Sequence, residues 1–325
     1  MRIITTLLVA LVLISCKEEP VRINDSAGKL NDILIVVNSE NWDGEIGDTI
    51  RNVLARPIDG LVRDEAMFTL NQVKPESFKG MLKKSRNYLF VRKSDTASVG
   101  IRKNKYATPQ IGVIVQGKDT REIAEQISEN ADNIVTIFKQ GELTEKQRLI
   151  DRVRLNTDRI TDRFGIDMNV PTAYRYAAVD DPDFTWLRRN IVEGTMDMLI
   201  YEVPLSQIQR DSSVVQDIVA VRDSIGLIKI PTDGGPFRTE PAFSPYVNET
   251  QVDGRFAFET KGTWEVRDMF MAGPFLNYAI YNADKEKWLI VEGYISAPNA
   301  VQRNYLFEIE AILNSIRFVE KEDNQ

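Results

Sequence analysis

Four glutamates, a tryptophan flanked by two arginines, and a single cysteine carry most of the chemistry this sequence could perform. The 325 residues include no histidine. That removes the commonest general base, the Ser-His-Asp and Cys-His arrangements, and most transition-metal sites. Catalysis would fall to carboxylates, lysine or tyrosine. Glu240, Glu259, Glu265 and Glu292 are the candidate carboxylates. A hydrolase of glycans or peptides would need two such groups roughly 5–10 Å apart across a groove, one of them with a raised pKa. With 48 acidic residues in the chain, chance carboxylate pairs are inevitable and nothing ranks these four.

The binding candidates are Arg238, Trp264 and Arg267. Arg238 follows Gly234-Gly235-Pro236-Phe237, and Arg267 closes the segment bearing Trp264, shortly before Ala272-Gly273-Pro274-Phe275. Both Gly-Pro pairs predict tight turns. An arginine there could hold a carboxylate bidentately while Trp264 stacks on a sugar or peptide face. The competing reading has Trp264 filling the core and each arginine paired with a nearby glutamate. A phosphate cradle is excluded, because its glycines would have to open a helix after a strand. Asp180, Asp181 and Asp183, around Pro182, lack the regular ligand spacing and closing glutamate of a calcium loop. No cofactor and no metal is implied. The net charge of −7, with no basic stripe, argues against a nucleic-acid partner.

The cysteine is Cys16, and it ends an apolar run that begins at Ile3 behind the basic Arg2. The run is too short to span a bilayer and reads as a secretory signal. Leu13-Ile14-Ser15-Cys16 resembles the lipobox of bacterial lipoproteins. The resemblance implies lipid transfer to the Cys16 thiol, cleavage after Ser15, and membrane partnership through an N-terminal lipid anchor. Lys17-Glu18-Glu19 is similar to the signal that follows the lipidated cysteine in surface-exposed lipoproteins of the Bacteroidota. The alternatives are an ordinary signal peptide and a solvated charged tether. Cleavage would leave 310 residues and a net charge of −8. With one cysteine there is no intramolecular disulfide.

These groups must be positioned by two folded halves, since the length suits two domains rather than one. The expected divisions are a signal over 1–15, a lipidated mobile tether over 16–30, an N-terminal half over 31–140, a bridging helix over 141–166, a C-terminal half over 167–319, and a polar tail over 320–325. The continuous run 33–37 predicts a strand buried on both faces. Further strands are expected over 67–70, 88–91 and 111–115, with helices over 46–54 and 75–84. Helical spacing continues over 123–138 until Gly141, which should break it. In the second half, strands are expected over 174–179, 198–203 and 256–267, with a hairpin over 275–295. Helices should run over 213–223 and 300–316. The fold class is α+β: two similar, loosely ferredoxin-like sandwich halves with mostly antiparallel sheets backed by helices. Strand-turn-helix units recur near 32 and 197, and near 111 and 289. Duplication and independent recurrence of a common unit both account for that.

The lipobox, Asp32-Ile33-Leu34-Ile35-Val36, Gly262-Thr263-Trp264-Glu265-Val266-Arg267, Ala272-Gly273-Pro274-Phe275 and the segment 288–298 together resemble the domain-of-unknown-function family 4837. The resemblance implies a Bacteroidota envelope lipoprotein and transfers no site. Two functions remain open. One is a non-enzymatic envelope protein binding a protein partner, glycan or peptide, held in the outer membrane and facing outward or toward the periplasm. The other is a carboxylate-dependent hydrolase of envelope glycans or peptides.

Overall fold

The computed structural model describes residues 24–178 and 181–319. Strand β1 (Asp32–Val36) lies at the middle of the first half, between parallel neighbours β2 (Thr69–Val73) and β3 (Asn87–Lys93). Its unbroken apolar sequence follows from that position. Ile33 and Ile35 enter one core while Leu34 and Val36 enter the opposite one. Strand β4 (Ser98–Lys103) pairs antiparallel with β5 (Ile111–Gly117), giving the order β2-β1-β3-β5-β4.

Helices α1 (Ser39–Trp42), α2 (Glu45–Leu54), α3 (Thr120–Glu129) and α4 (Ala131–Asp151) complete this half. Ile46, Ile50, Ile123, Ile127 and Phe138 pack from them onto one face of the sheet. The other face is closed by aromatic rings instead, with Phe78 5.1 Å from Tyr88 and 5.8 Å from Tyr106. The helix expected over 75–84 is two short 3-10 turns, Pro75–Ser77 and Gly80–Lys84.

The second half contains α5 (Asp158–Phe164), β6 (Ile166–Asp167), β7 (Arg175–Ala178), β8 (Phe184–Ile191) and β9 (Gly194–Pro204). Helix α6 (Val214–Lys229) follows, then β10 (Arg238–Thr239), β11 (Tyr246–Val252) and β12 (Arg255–Val266). The chain continues through β13 (Met271–Asn282), β14 (Lys287–Ser296), α7 (Arg303–Leu313) and β15 (Arg317–Phe318). An antiparallel sheet runs β10-β12-β13-β14-β9-β8-β7, with β11 also pairing β12. Because successive side chains alternate, each strand feeds two cores. Leu276 and Ile280 pack with Ile309 and Ile312 of α7, while Phe275 and Ala279 pack with Ile218 of α6.

The α+β class and the division into two halves therefore hold. The likeness between the halves stops at the local strand-turn-helix units, because the first sheet is mainly parallel and the second antiparallel. A duplicated unit would keep its pairing sense, so the halves are not copies. The bridging helix over 141–166 is also corrected. Helix α4 runs straight through Gly141 to Asp151, and a separate α5 follows. A β-carbon at Gly141 would sit 3.0 Å from Ile111 Cγ1. The glycine is there to let α4 approach β5 closely, not to end a helix.

The expected tether is pinned over its second part. Thr108 N donates to Asn24 O at 2.9 Å, Ser26 N to Thr108 O at 3.0 Å, and Ala27 N to Lys84 O at 2.8 Å. Residues 1–23 and 320–325 lie outside the described residues.

The halves join where α7 lies against α4. Every residue of α7 from Leu306 to Leu313 is buried, including Glu308 and Glu310. Lys146 Nζ meets Glu308 at 2.7 Å, Arg189 also pairs with Glu308, and Lys139 Nζ meets Glu310 at 2.5 Å. From the first half, Glu65 accepts the backbone N–H groups of Gln302 and Arg303 at 2.8 and 2.7 Å, capping the start of α7.

Burial pushes the Glu308 carboxyl up, but Lys146 and Arg189 outweigh it and hold the group below its ordinary value of 4.5. A carboxylate with a depressed folded-state pKa adds stability above its unfolded pKa and loses it as pH falls through the folded one. Glu308→Gln should lower unfolding free energy near neutral pH by about 3–5 kcal/mol, since two cations lose their partner. The deficit should shrink on acidification below pH 4.5. Urea unfolding at a series of pH values, followed by tryptophan fluorescence, measures both; a deficit independent of pH would remove the ion-pair account.

Candidate functional site

Cys16, Lys17, Glu18 and Glu19 lie outside the described residues. Trp264 and Arg238 occupy neighbouring strands but opposite faces. The register pairs Arg238 with Glu265 and Thr239 with Trp264. Cross-strand partners share a face and consecutive residues do not. Arg238 therefore meets Glu265 at 2.7 Å on one side, while Trp264 turns inward on the other and is 1% exposed. Arg267 stands exposed at the turn after β12. The fold does not bring these three side chains to one surface.

The repeated Gly-Pro-Phe sequences do converge, though not as two turns. The first delivers Phe237, whose ring stacks on Trp264 at 4.9 Å and lies 4.8 Å from Tyr294. The second is part of β13 itself. Gly273 sits opposite Trp264, and a β-carbon there would fall 2.0 Å from Ile295 O. Trp264 Nε1 donates to that same oxygen at 3.1 Å. The Arg222 guanidinium covers Phe275 at 3.9 Å and Phe237 at 5.1 Å, so α6 clamps both motifs. Trp264 also lines a cleft of about 500 Å³ with Trp186, Arg188, Asp197 and Met269. Asp197 at its base is already satisfied by Trp186 Nε1, Arg188 Nε and Thr195 Oγ1 at 2.7, 2.6 and 2.7 Å.

The candidate carboxylates are all engaged. Arg222 Nε donates to Glu292 Oε1, and Asn277 Nδ2 to Glu292 Oε2, both at 3.0 Å. Glu259 takes Lys261 Nζ at 2.7 Å and the Tyr278 hydroxyl at 3.0 Å. Glu240 accepts the N–H of Ala242 at 2.8 Å. Tyr278 belongs to the α7-side core and the Glu292 pair to the α6 side, so Glu259 and Glu292 are separated by the sheet. Burial raises the Glu259 pKa, but Lys261 outweighs it and leaves the group below its ordinary value. An acid catalyst needs the opposite shift.

Nothing in the sequence marks the cavity that joins the halves. About 360 Å³ in volume, it is walled from the first half by Arg56, Ile58, Met67, Phe68 and Lys139. The second half supplies Lys261, Leu276, Arg303, Leu306, Phe307 and Glu310. Four of its lining residues are cations (Arg56, Lys139, Lys261 and Arg303) against two carboxylates (Asp59 and Glu310). This balance runs against the acidic chain as a whole. Lys261 would lose its proton more readily through burial, yet Glu259 and Glu310 outweigh that and raise its pKa. No motif could have announced these residues, which lie scattered along the chain. Among the described residues no cluster of His, Cys, Asp or Glu could hold a metal ion, and no helix is long and apolar enough to cross a membrane.

Comparisons with known proteins agree with the division into halves. The model for the domain of unknown function DUF4837 matches residues 153–315. That for the domain of unknown function DUF8532 matches residues 26–151. No curated protein matches. Among solved structures, the Saccharomyces cerevisiae Ran-binding protein Mog1p is 9% identical, with 48% of this chain and 91% of that chain covered, at a TM-score of 0.31. A point mutant of protein Mog1 is 8% identical, with 48% and 92% covered and a TM-score of 0.30. Likeness at that level carries no argument.

The contrast between Trp264 and Arg238 can be measured directly. Trp264→Ala should lower unfolding free energy by about 3–5 kcal/mol, as expected for a large buried aromatic. Arg238→Ala should cost less than about 1 kcal/mol, because its pair with Glu265 is partly exposed. Equal losses in urea unfolding would contradict the opposite-face placement.

Proposed function

We propose, from the premise that the chain belongs to the family of the domain of unknown function DUF4837, that it is a lipid-anchored envelope protein that binds a ligand without transforming it. The observation that carries the binding reading is the cavity between the halves, walled by both and lined by an excess of cations over an apolar floor. A non-enzymatic role is supported by the absence of histidine and by the engagement of Glu240, Glu259, Glu265 and Glu292. The hydrolase alternative gains nothing from their placement.

The anchoring part of the proposal rests on the apolar run ending at Cys16, the only cysteine in the chain. A single acyl chain holds only marginally, so stable attachment takes at least two. Lys17, Glu18 and Glu19 suit export of the anchored protein to the outer surface, and the outer membrane is the proposed location.

Cys16→Ala should move the exported protein from the detergent phase to the aqueous phase in a phase-partition assay. Retention in the detergent phase after signal removal would sink the anchor. For the binding role, native mass spectrometry of the protein extracted from its own envelope should show a small-molecule adduct. Ile58→Trp, which fills the cavity from a loop, should abolish that adduct. A ligand-free wild type, or an adduct unchanged by the substitution, would count against binding in this cavity.

A further inference from the structure

The charges around the cavity between the halves are not equally compensated. Lys139 and Lys261 have close carboxylate partners, Glu310 at 2.5 Å and Glu259 at 2.7 Å. The Arg303 guanidinium has none among the described residues, although Glu65 accepts the backbone N–H of Arg303 at 2.7 Å. Its Nη1 donates to Ala66 O at 3.2 Å and Thr69 Oγ1 at 3.0 Å, and its Nε to Asn304 Oδ1 at 3.2 Å, all of them neutral acceptors. Arg56 approaches only Asp132, at 3.9 Å, and that carboxylate is 96% exposed to water. Two arginines from different halves thus face one cavity with no ion pair closer than 3.9 Å on either guanidinium, against Asp59 as the lining carboxylate that holds no ion pair among the described residues.

Beneath them the surface is apolar. Phe68, Leu276, Leu306 and Phe307 are all buried and line the same space. A guanidinium is weakly hydrated and presents paired donors that match a carboxylate. An apolar body attached to that carboxylate would itself leave water by packing against this floor. The volume, near the lower end for small-molecule sites, limits the body to a compact one.

We propose that the cavity binds a compact organic carboxylate, with the anionic end at Arg56 and Arg303 and the apolar body against Phe68, Leu306 and Phe307. This rests on the binding reading above and specifies its ligand class. Lys139 and Lys261 stay paired with Glu310 and Glu259 and add no net charge. Because the protein is acidic overall, an anion is repelled elsewhere and attracted here, so affinity should fall as salt rises. Inorganic phosphate has the charge without the apolar body and should bind poorly.

The test is calorimetric titration of the full chain in detergent, with the detergent-only titration subtracted. The probes are phenylacetate, phenethyl alcohol, phenethylammonium and inorganic phosphate. Phenylacetate should bind at least about tenfold more tightly than any of the others, a gap of about 1.4 kcal/mol. Arg56→Gln and Arg303→Gln should each weaken phenylacetate by about tenfold, with Arg56→Lys recovering part of the loss. Arg56 is about half exposed at the rim, at 48%, so its variants should keep the wild-type melting temperature even if Arg303→Gln does not. Equal binding of the alcohol or the ammonium would overturn the anionic assignment while leaving a ligand cavity intact. Equal binding of phosphate would overturn the apolar half of the proposal. Phenylacetate binding that is absent, or indifferent to Arg56→Gln, would overturn the site itself, whatever adduct the envelope-extracted protein carries.

Discussion

The burial of α7 is the constraint on which the rest of the structure depends. Its apolar side, Ile309 and Ile312 among others, covers the antiparallel sheet. The opposite side would ordinarily face water, and its Glu308 and Glu310 are residues of that kind. Here they are covered by α4, and Lys139, Lys146 and Arg189 neutralise them. Burying a carboxylate without such partners would cost several kcal/mol. The helix can therefore be enclosed on all sides only if the two halves dock in this one orientation. Glu65 adds a second fix by capping the helix start from the other half.

That docking also makes the cavity. Its walls come from the loop after α2, from α4, from β12 and from α7, so neither half contains it alone. The loop approaches β12 so closely that a β-carbon on Gly60 would lie 3.0 Å from Lys261 Cβ. Gly60 has φ +84, a conformation that glycine adopts without strain. Local backbone freedom in the first half thus sets how near the second half comes. The cationic lining then follows from side chains that the docking surface leaves at its margin.

Much of the fold was legible in the sequence where the cause is local. The run around Ile35 marks a central strand, and the alternation through Phe275 and Trp288 marks the hairpin β13–β14. Helix α3 follows from the spacing of Ile123 and Ile127, with Asp119 capping it. Gly141 reads as a helix breaker and Gly273 as a turn residue, yet the reason for each glycine is a distant neighbour, Ile111 in one case and Ile295 in the other. The parallel pairing of the first sheet is not legible, because strand order is decided by tertiary packing and leaves no periodicity of its own. Trp264, the candidate for stacking on a sugar or peptide face, lies in the core instead, at 1% exposure. Arg56 and Arg303 gave no signal at all, since an uncompensated cation is visible only when every neighbour is known.

The pinning of Asn24 to Ala27 onto the first half has a geometric consequence for the intact molecule. Only the short stretch between Cys16 and Asn24 separates the proposed lipid from the folded body. At no more than about 3.6 Å per residue, that stretch can reach roughly 30 Å when fully drawn out. The folded body would then be held on a short leash, with the pinned segment Asn24 to Ala27 never farther from the bilayer than that reach.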